Sequence, residues 1–114
     1  MTTTDKADEF AAILRICGAD LPEPQREWRF DAKRRWRFDF AWPNGKGGTA
    51  VEVDGGQWKP GGGRHGSDAD REKLAEAGAQ GWIVLHFSPA MLRNNPGACV
   101  DWVRRAIAYR TRTP

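Results

Sequence analysis

The stretch WRFDFAWPNGKGGTAVEVDGGQWKPGGGRH, residues Trp36 to His65, decides the fold of this chain. Within it, apolar and polar residues alternate with the period of two that is typical of half-buried β-strands, first up to Trp42 and again from Thr49 to Asp54. A Pro-Asn-Gly turn signal follows the first run. The first run is predicted to place its aromatic residues together on one face of the strand, namely Trp36, Phe38, Phe40 and Trp42.

The opposite faces of these two strands carry acidic residues. Asp39 lies on the polar face of the first strand, and Glu52 and Asp54 lie on that of the second. If the strands pair antiparallel with their apolar faces in one core, Asp39 and Glu52 share one side of the sheet. Converging carboxylates repel each other, and a hard cation such as Mg²⁺ relieves that repulsion. The alternative is that both are simply the solvent-facing residues of amphipathic strands.

A short strand before this stretch offers a third acid. The segment Glu27 to Phe30 alternates in the same way and turns through residues 31–34 into the next strand as a hairpin. If Trp28 and Phe30 face the core, Glu27 and Arg29 share the polar side with Asp39. Glu27 is therefore an additional candidate metal ligand.

Helices and a further strand surround the three-strand unit. Apolar spacing and stop signals predict a first helix over residues 5–17 and a second over residues 68–79. The continuous apolar run Trp82 to Phe87 predicts an interior strand covered on both faces, with His86 as a structural histidine without a functional role. Val100, Val103 and Ile107 mark one face of a closing helix. A strand that follows a crossover helix can lie parallel beside the meander, which gives an α/β fold with a mixed sheet.

The length and net charge of the chain indicate the number of domains and the kind of binding partner. A chain of 114 residues is expected to form a single domain, 1–114, and its net charge of +3 weakly favours an acidic partner. Basic residues interleaved with aromatic residues are typical of contacts with a phosphate backbone, although a solvated basic face is the plain alternative. One basic group is Arg26, Arg29, Lys33, Arg34, Arg35 and Arg37, and a second is Arg104, Arg105, Arg110 and Arg112.

Other classes of protein are disfavoured. Cys17 and Cys99 are too few for a disulfide framework and form no Cys-x-x-Cys metal pair. No signal peptide and no apolar run long enough to cross a bilayer is present. We therefore expect a reduced, cytoplasmic protein without a membrane partner, located in a bacterial host cell if the gene is carried by a phage.

Several motifs in order resemble the PD-(D/E)XK nuclease superfamily, and within it small phage and bacterial endonucleases related to very-short-patch repair endonucleases and Holliday-junction resolvases. The resemblance implies a restriction-endonuclease-like α-βββ-α-β core, with a mixed sheet flanked by helices. It covers most of the chain from about residue 27 to residue 87. The matching motifs are RWRFDFAWP at 35–43, VEVDGG at 51–56, GRH at 63–65, Asp70 with Lys73, and Gly81-Trp82-x-Val84-Leu85-x-Phe87.

The resemblance also implies an activity, the metal-dependent hydrolysis of phosphodiester bonds in DNA. The expected substrates are structured, such as Holliday junctions and branched or mismatched DNA. Asp39 and Glu52, helped by Glu27 and the backbone carbonyl of Val53, would hold one or two Mg²⁺ (or Mn²⁺) ions. A resolvase cuts two strands symmetrically, which suggests a two-fold homodimer.

One position departs from the family pattern. Two residues after Glu52, where the superfamily carries a lysine that activates the attacking water, this chain has Asp54. Three residues are candidates for the missing role. His65 ranks first as a general base on the glycine-rich loop, Lys73 second as an ammonium one turn into the following helix, and Arg37 third as a permanent charge. The alternative is a nuclease-like domain that binds nucleic acid without cutting it.

DNA contacts are expected from basic residues near the acidic pair. Such contacts fix the position of the backbone without reading its sequence. Trp58 is a candidate for stacking on a base, or for packing over the glycine-rich loop. The predicted DNA-binding residues are Arg29, Lys33, Arg34, Arg35, Arg37, Trp58 and Arg64.

Overall fold

A computed structural model of the chain describes residues 6–53 and 68–112. The order of its elements confirms the predicted α-βββ-α-β core and adds one short helix before the closing helix. None of the helices in the described ranges is long and apolar enough to cross a membrane. The elements are α1 Lys6–Cys17, β1 Gln25–Arg29, β2 Arg37–Pro43, β3 Gly48–Val53, α2 Asp68–Ala79, β4 Trp82–Phe87, α3 Pro89–Asn94 and α4 Pro96–Arg112.

The four strands form one mixed sheet in the order β1-β2-β3-β4. β1 to β3 are an antiparallel meander, and β4 lies parallel to β3 after the crossover through α2. The predicted mixed sheet is therefore confirmed, but the interior position of β4 is wrong. β4 is an edge strand, and the side chains from Trp82 to Leu85 stay partly exposed although helices pack on both faces. Its continuous apolar run reflects those two helical layers rather than a second neighbouring strand.

Each face of the sheet has its own core. On one face, α1, α3 and α4 pack against the sheet, and Phe10 of α1 contacts the rings of Phe40 and Phe87. On the other face, α2 packs through Ala77 near Phe38. Phe38 stacks on Phe30 with ring centroids 4.2 Å apart. The sheet is thus covered on both sides, as its burial pattern requires.

The prediction that the aromatic residues of β2 share one face is wrong. Phe40 and Trp42 lie in the core beneath α1 and α4, whereas Phe38 lies in the core beneath α2. A regular strand would keep Phe38 and Phe40 on the same face. The change occurs at Asp39, whose Oδ2 accepts a hydrogen bond from the backbone N–H of Val53 at 2.8 Å. Glu27 of β1, which lies opposite Asp39 in the β1–β2 ladder, has a positive φ of 52°, so this ladder is irregular beside the predicted catalytic acid.

A close backbone approach fixes β3 against β4. Gly47 has φ 91° and precedes β3, and a Cβ atom at this position would lie 2.3 Å from the carbonyl oxygen of Gly81. The N–H of the next residue, Gly48, donates to that same oxygen at 3.3 Å. Only glycine tolerates both the positive φ and the contact. This contact supports the alignment in which Gly48 lies beside Trp82.

Candidate active site

Asp39 and Glu52 lie on neighbouring strands at the end of the β2–β3 ladder. The last antiparallel partners are Phe40 and Val51, so the next position pairs Asp39 with Glu52. The hydrogen bond from Val53 fixes one carboxylate oxygen of Asp39. The two acids are close enough for the charge of Asp39 to raise the pKa of Glu52. The structure thus brings the two predicted acids together.

Lys73 reaches this pair from α2. Its Nζ lies 2.8 Å from Oε1 of Glu52. The two side chains are only 19% and 17% exposed. Nζ also lies 5.8 Å from the centre of the Phe38 ring, on the same side of the sheet. Since both partners are mostly shielded from water, this ion pair is screened less than one on the surface.

Competing effects set the charge state of Glu52. Burial raises the pKa of its carboxyl, and the hydrogen bond and positive charge of Lys73 oppose that shift. The negative charge of Asp39 raises the pKa further, and His86 lowers it. The net direction is upward. A buried carboxylate beside a second one is a group that a cation would stabilise in its charged form.

His86 is a neighbour of Glu52 that the sequence did not reveal. In the parallel pairing of β3 with β4, His86 is the direct partner of Glu52. Its side chain is exposed and its charge acts on Glu52. The prediction of a structural histidine without a role overlooked this position, because the periodicity of β4 gives no register. A parallel alignment of the two strand segments would have placed the two residues side by side.

Glu27 does not join the acidic pair. Its carboxylate lies 3.7 Å from Nη1 of Arg37, and both side chains are more than half exposed. Across residues 6–53 and 68–112, no three His, Cys, Asp or Glu side chains come together as possible metal ligands. The irregular backbone at Glu27 breaks the alternation from which its position beside Asp39 was predicted. Val53 contributes an N–H to Asp39, and its carbonyl as a ligand stays a prediction.

The carboxylate oxygens of Asp39 and Glu52 are suitable ligands for a hard cation. One oxygen of Asp39 accepts the Val53 N–H, and one oxygen of Glu52 contacts Lys73. Each carboxylate has a second oxygen, and Mg²⁺ commonly uses one or two carboxylates together with several waters. The residues present therefore fit a Mg²⁺ or Mn²⁺ ion.

The predicted DNA-binding residues have different surroundings. Arg29 donates to three backbone carbonyls within the β1–β2 loop, which turns its guanidinium toward the protein. Arg34 stacks over the Trp36 ring at 4.6 Å. Lys33 and Arg35 are exposed. Arg37 makes the long ion pair with Glu27, a surface contact of small energetic value.

Three of the C-terminal arginines make contacts within the protein. Arg104 forms a bidentate pair with Asp20, with both contacts at 2.8 Å. Arg105 pairs with Asp101. Arg110 donates to the carbonyls of residues 44 and 46 in the β2–β3 turn. Arg104 and Arg110 therefore tie α4 to neighbouring segments, whereas the Arg105 pair lies within the helix.

Four residues of the sequence predictions lie in the segment between β3 and α2, outside the described residues. His65, the first candidate for the missing lysine role, is one of them. The DNA-binding candidates Trp58 and Arg64 are two more, and Asp54 is the fourth. Their assigned roles stay predictions.

The fold is similar to a known nuclease structure. The catalytic domain of the homing endonuclease I-Bth0305I superposes with a TM-score of 0.65 at 19% sequence identity, covering 95% of this chain and 98% of that domain. No protein-family model and no curated protein matches the sequence. At this level of identity the similarity concerns the fold: a mixed four-stranded sheet flanked by helices, as in an endonuclease catalytic domain.

Proposed function

We propose that this protein is a metal-dependent DNA endonuclease. The observation that carries the proposal is the grouping of Asp39, Glu52 and Lys73 at one end of the β2–β3 ladder. Two carboxylates can hold a metal ion, and an ammonium beside them can stabilise negative charge on a phosphate, as metal-assisted phosphodiester hydrolysis uses them. The similarity to an endonuclease catalytic domain supports the same activity.

Asp39 and Glu52 would hold Mg²⁺ or Mn²⁺ through their second carboxylate oxygens. The bound ion would lower the pKa of the attacking water and stabilise the charge that develops on the phosphate. The Val53 N–H holds one oxygen of the Asp39 carboxylate, which would limit the reorganisation of this ligand when an ion binds.

Lys73 would supply the positive charge that the Asp54 position lacks. The residue comes from α2 instead of β3, yet its Nζ contacts the predicted metal ligand Glu52. From there it would neutralise charge on the phosphate or orient the attacking water. The geometry favours Lys73 over Arg37, whose charge lies beside Glu27 on the surface. His65 stays a candidate general base.

For the substrate we propose structured DNA, such as four-way junctions, branches or mismatches. This part of the proposal rests on the motifs shared with very-short-patch repair endonucleases and resolvases. A homodimer would carry two such active sites, one in each subunit, and could cut two DNA strands symmetrically. The neighbouring structure is a homing endonuclease domain, so ordinary duplex DNA is the competing substrate.

The test is a cleavage panel with purified protein and Mg²⁺. The substrates are a four-way junction, a flap, a mismatched duplex, a nicked duplex, a perfect duplex and a single strand. We expect cutting that EDTA abolishes and that is faster on at least one branched or mismatched substrate. Equal rates on all duplex substrates would contradict the structural preference.

A DNA-binding module without activity is the second candidate, and the aspartate at position 54 favours it. The same panel separates the two functions. Binding to the junction or the duplex without cutting, in Mg²⁺ and in Mn²⁺, would establish the binding module. Calorimetric binding of Mg²⁺ by the wild type, and its loss in Asp39→Ala, would favour the nuclease.

A further inference from the structure

The loop between β1 and β2, residues 30–36, folds around the guanidinium of Arg29. Arg29 donates from Nε to the carbonyls of Asp31 and Arg34, at 3.2 and 3.0 Å, and from Nη2 to the carbonyl of Ala32 at 3.3 Å. Three carbonyls of the loop therefore point toward one cation. One cationic donor occupies these three acceptors, so a side chain of β1 holds the conformation of the loop.

Asp31 holds the same loop from the other side. It is only 9% exposed. Its Oδ2 accepts hydrogen bonds from the backbone N–H groups of Lys33 at 3.2 Å and Arg34 at 2.7 Å. Its Oδ1 accepts a hydrogen bond from Nε2 of Gln80 at 3.2 Å. Gln80 directly follows α2, so Asp31 fixes the loop to the helix that carries Lys73.

A row of aromatic rings forms a second link to the active site. The Arg34 guanidinium stacks over Trp36, and Trp36 stacks over Phe30 with centroids 6.1 Å apart. Phe30 in turn stacks on Phe38, whose ring faces the Lys73 ammonium. A continuous row of stacked side chains thus connects the loop to Lys73.

The outer side of the loop carries consecutive positive charges. Lys33, Arg34 and Arg35 follow one another and are all exposed. Within the described part of the chain, the side chains of Lys33 and Arg35 take part in no ion pair. Their charges are therefore available to a phosphate backbone.

From these contacts we infer that loop 30–36 binds DNA phosphates next to the cleavage site as a preformed unit, and that Asp31 is its positioning residue. The identity of the partner rests on the proposed function. Asp31 carries a charge that repels DNA, so its contribution must come through the loop. By holding Lys33 and Arg34 through their N–H groups, it removes the cost of ordering the loop on binding.

If Asp31 has this role, its removal should change DNA affinity in the direction opposite to the one that charge alone predicts. Removing a carboxylate beside phosphates should strengthen DNA binding, whereas loosening the loop should weaken it. We expect Asp31→Ala to bind DNA about tenfold more weakly, because the loop must then be ordered on binding. Asp31→Asn keeps one carbonyl oxygen for the N–H groups of Lys33 and Arg34 and loses both the charge and the second acceptor, which serves Gln80. It should therefore bind more tightly than Asp31→Ala. Fluorescence anisotropy with a duplex in Ca²⁺, without cleavage, measures both.

The salt dependence provides an independent readout. Asp31→Ala leaves the basic side chains in place, so the slope of log affinity against log salt should stay unchanged. Gln80→Ala removes the hydrogen bond to Asp31, together with the one to Glu76 of α2, and leaves the backbone contacts of Asp31 in place. It should weaken binding in the same direction by a smaller factor. Melting temperatures of all variants show whether each one folds. If Asp31→Ala does not fold, Gln80→Ala decides the question, and unchanged binding by that variant would overturn the inference.

Other outcomes are equally decisive. Binding by Asp31→Ala that matches or exceeds the wild type would show that the loop does not depend on this residue. Equal losses in Asp31→Ala and Asp31→Asn would show that the acceptor is not what matters. A wild type that binds no DNA would also overturn the inference. A wild type that binds but never cuts would refute the proposed endonuclease alone.

Discussion

Lys73 and Glu52, which are 21 residues apart in the sequence, form an ion pair at 2.8 Å on the face of the sheet covered by α2. The pair exists because α2 returns across the sheet between β3 and β4, with Lys73 directed toward β3. It puts an ammonium next to a predicted metal ligand in a chain whose motif lysine position holds an aspartate. The catalytic predictions follow from this contact.

The first prediction concerns the acidic pair. Asp39→Asn and Glu52→Gln should each abolish Mg²⁺-dependent cleavage, because an amide is a poor ligand for a hard cation. Both amides keep an oxygen for their present partners, the Val53 N–H and the Lys73 ammonium, so the fold should persist. DNA affinity should stay equal or rise as repulsion from phosphate falls. Near-normal cleavage by both variants would refute the assigned site.

The second prediction compares the two leading candidates for the lysine role. Lys73→Ala should slow cleavage by on the order of 10²–10³-fold, as expected when a preorganised stabilising group is removed. It should also cost about 1–3 kcal/mol of folding stability, since Glu52 loses its partner in a shielded place. Single-turnover rates and urea unfolding measure the two effects.

The matched variant is His65→Ala. If His65 is the general base, its removal should cost on the order of 10²–10⁴-fold in rate while Mg²⁺ and DNA binding persist. A dead Lys73→Ala with an active His65→Ala would assign the role to Lys73 alone. The opposite pattern would leave the Lys73–Glu52 pair as a structural contact.

The third prediction concerns the path of the DNA. Replacing Arg34 and Arg35 with alanine should flatten the slope of log affinity against log salt by roughly one unit per lost phosphate contact. Arg105→Ala on α4 is a control that removes one arginine charge elsewhere, because Arg105 already pairs with Asp101. We expect little change in its slope. An unaltered slope in the double variant would move the DNA toward the C-terminal arginines.

The fourth prediction concerns acid stability. The bidentate hydrogen bonds from Arg104 lower the pKa of Asp20 from 3.8 to about 2. A depressed carboxyl pKa stabilises the folded state above the unfolded-state value, and this contribution is lost as the pH falls toward the folded-state value. Asp20→Asn should therefore be less stable than the wild type at pH 7, and the difference should shrink between about pH 4 and pH 2.

Urea midpoints at pH 7, 4 and 2 test this window. Glu23→Gln, at an exposed carboxyl in the same link between α1 and β1, serves as the control and should show no such convergence. Arg104→Gln removes the other partner and should reproduce the behaviour of Asp20→Asn. A stability difference that is constant from pH 7 to pH 2 would show that the pair does not act through the charge of Asp20.

The sequence alone determined which elements form and in what order. The apolar alternation around Asp39 and Glu52 predicted β2 and β3, and the predicted bounds of α2 and β4 match the structure. These features are local: strand and helix periods, turn residues and stop signals act over a few positions. The hairpin pairing also made the meeting of the two acids predictable, because neighbouring antiparallel strands have one simple register.

The tertiary structure decided what lies around those acids. Periodicity could not show that Phe38 and Phe40 face opposite cores. The alternation of the strand breaks at Asp39, whose side chain accepts the Val53 N–H hydrogen bond within the ladder. Nor could periodicity show that His86 lies beside Glu52, since the register of parallel strands depends on the crossover and on the contact between Gly47 and Gly81. Long-range contacts of this kind depend on packing between distant segments, which no local pattern encodes.

Tertiary contacts also decide the surroundings of the basic residues. The sequence marked Arg29 and Arg35 alike as DNA-binding candidates, since charge and spacing treat them equally. In the folded protein Arg29 serves the carbonyls of its own loop, and Arg35 faces outward. Both side chains are exposed, and they differ because backbone carbonyls of the loop lie within hydrogen-bonding distance of Arg29. The sequence determined the chemistry available to the site, and the tertiary structure decided which residues bring it there.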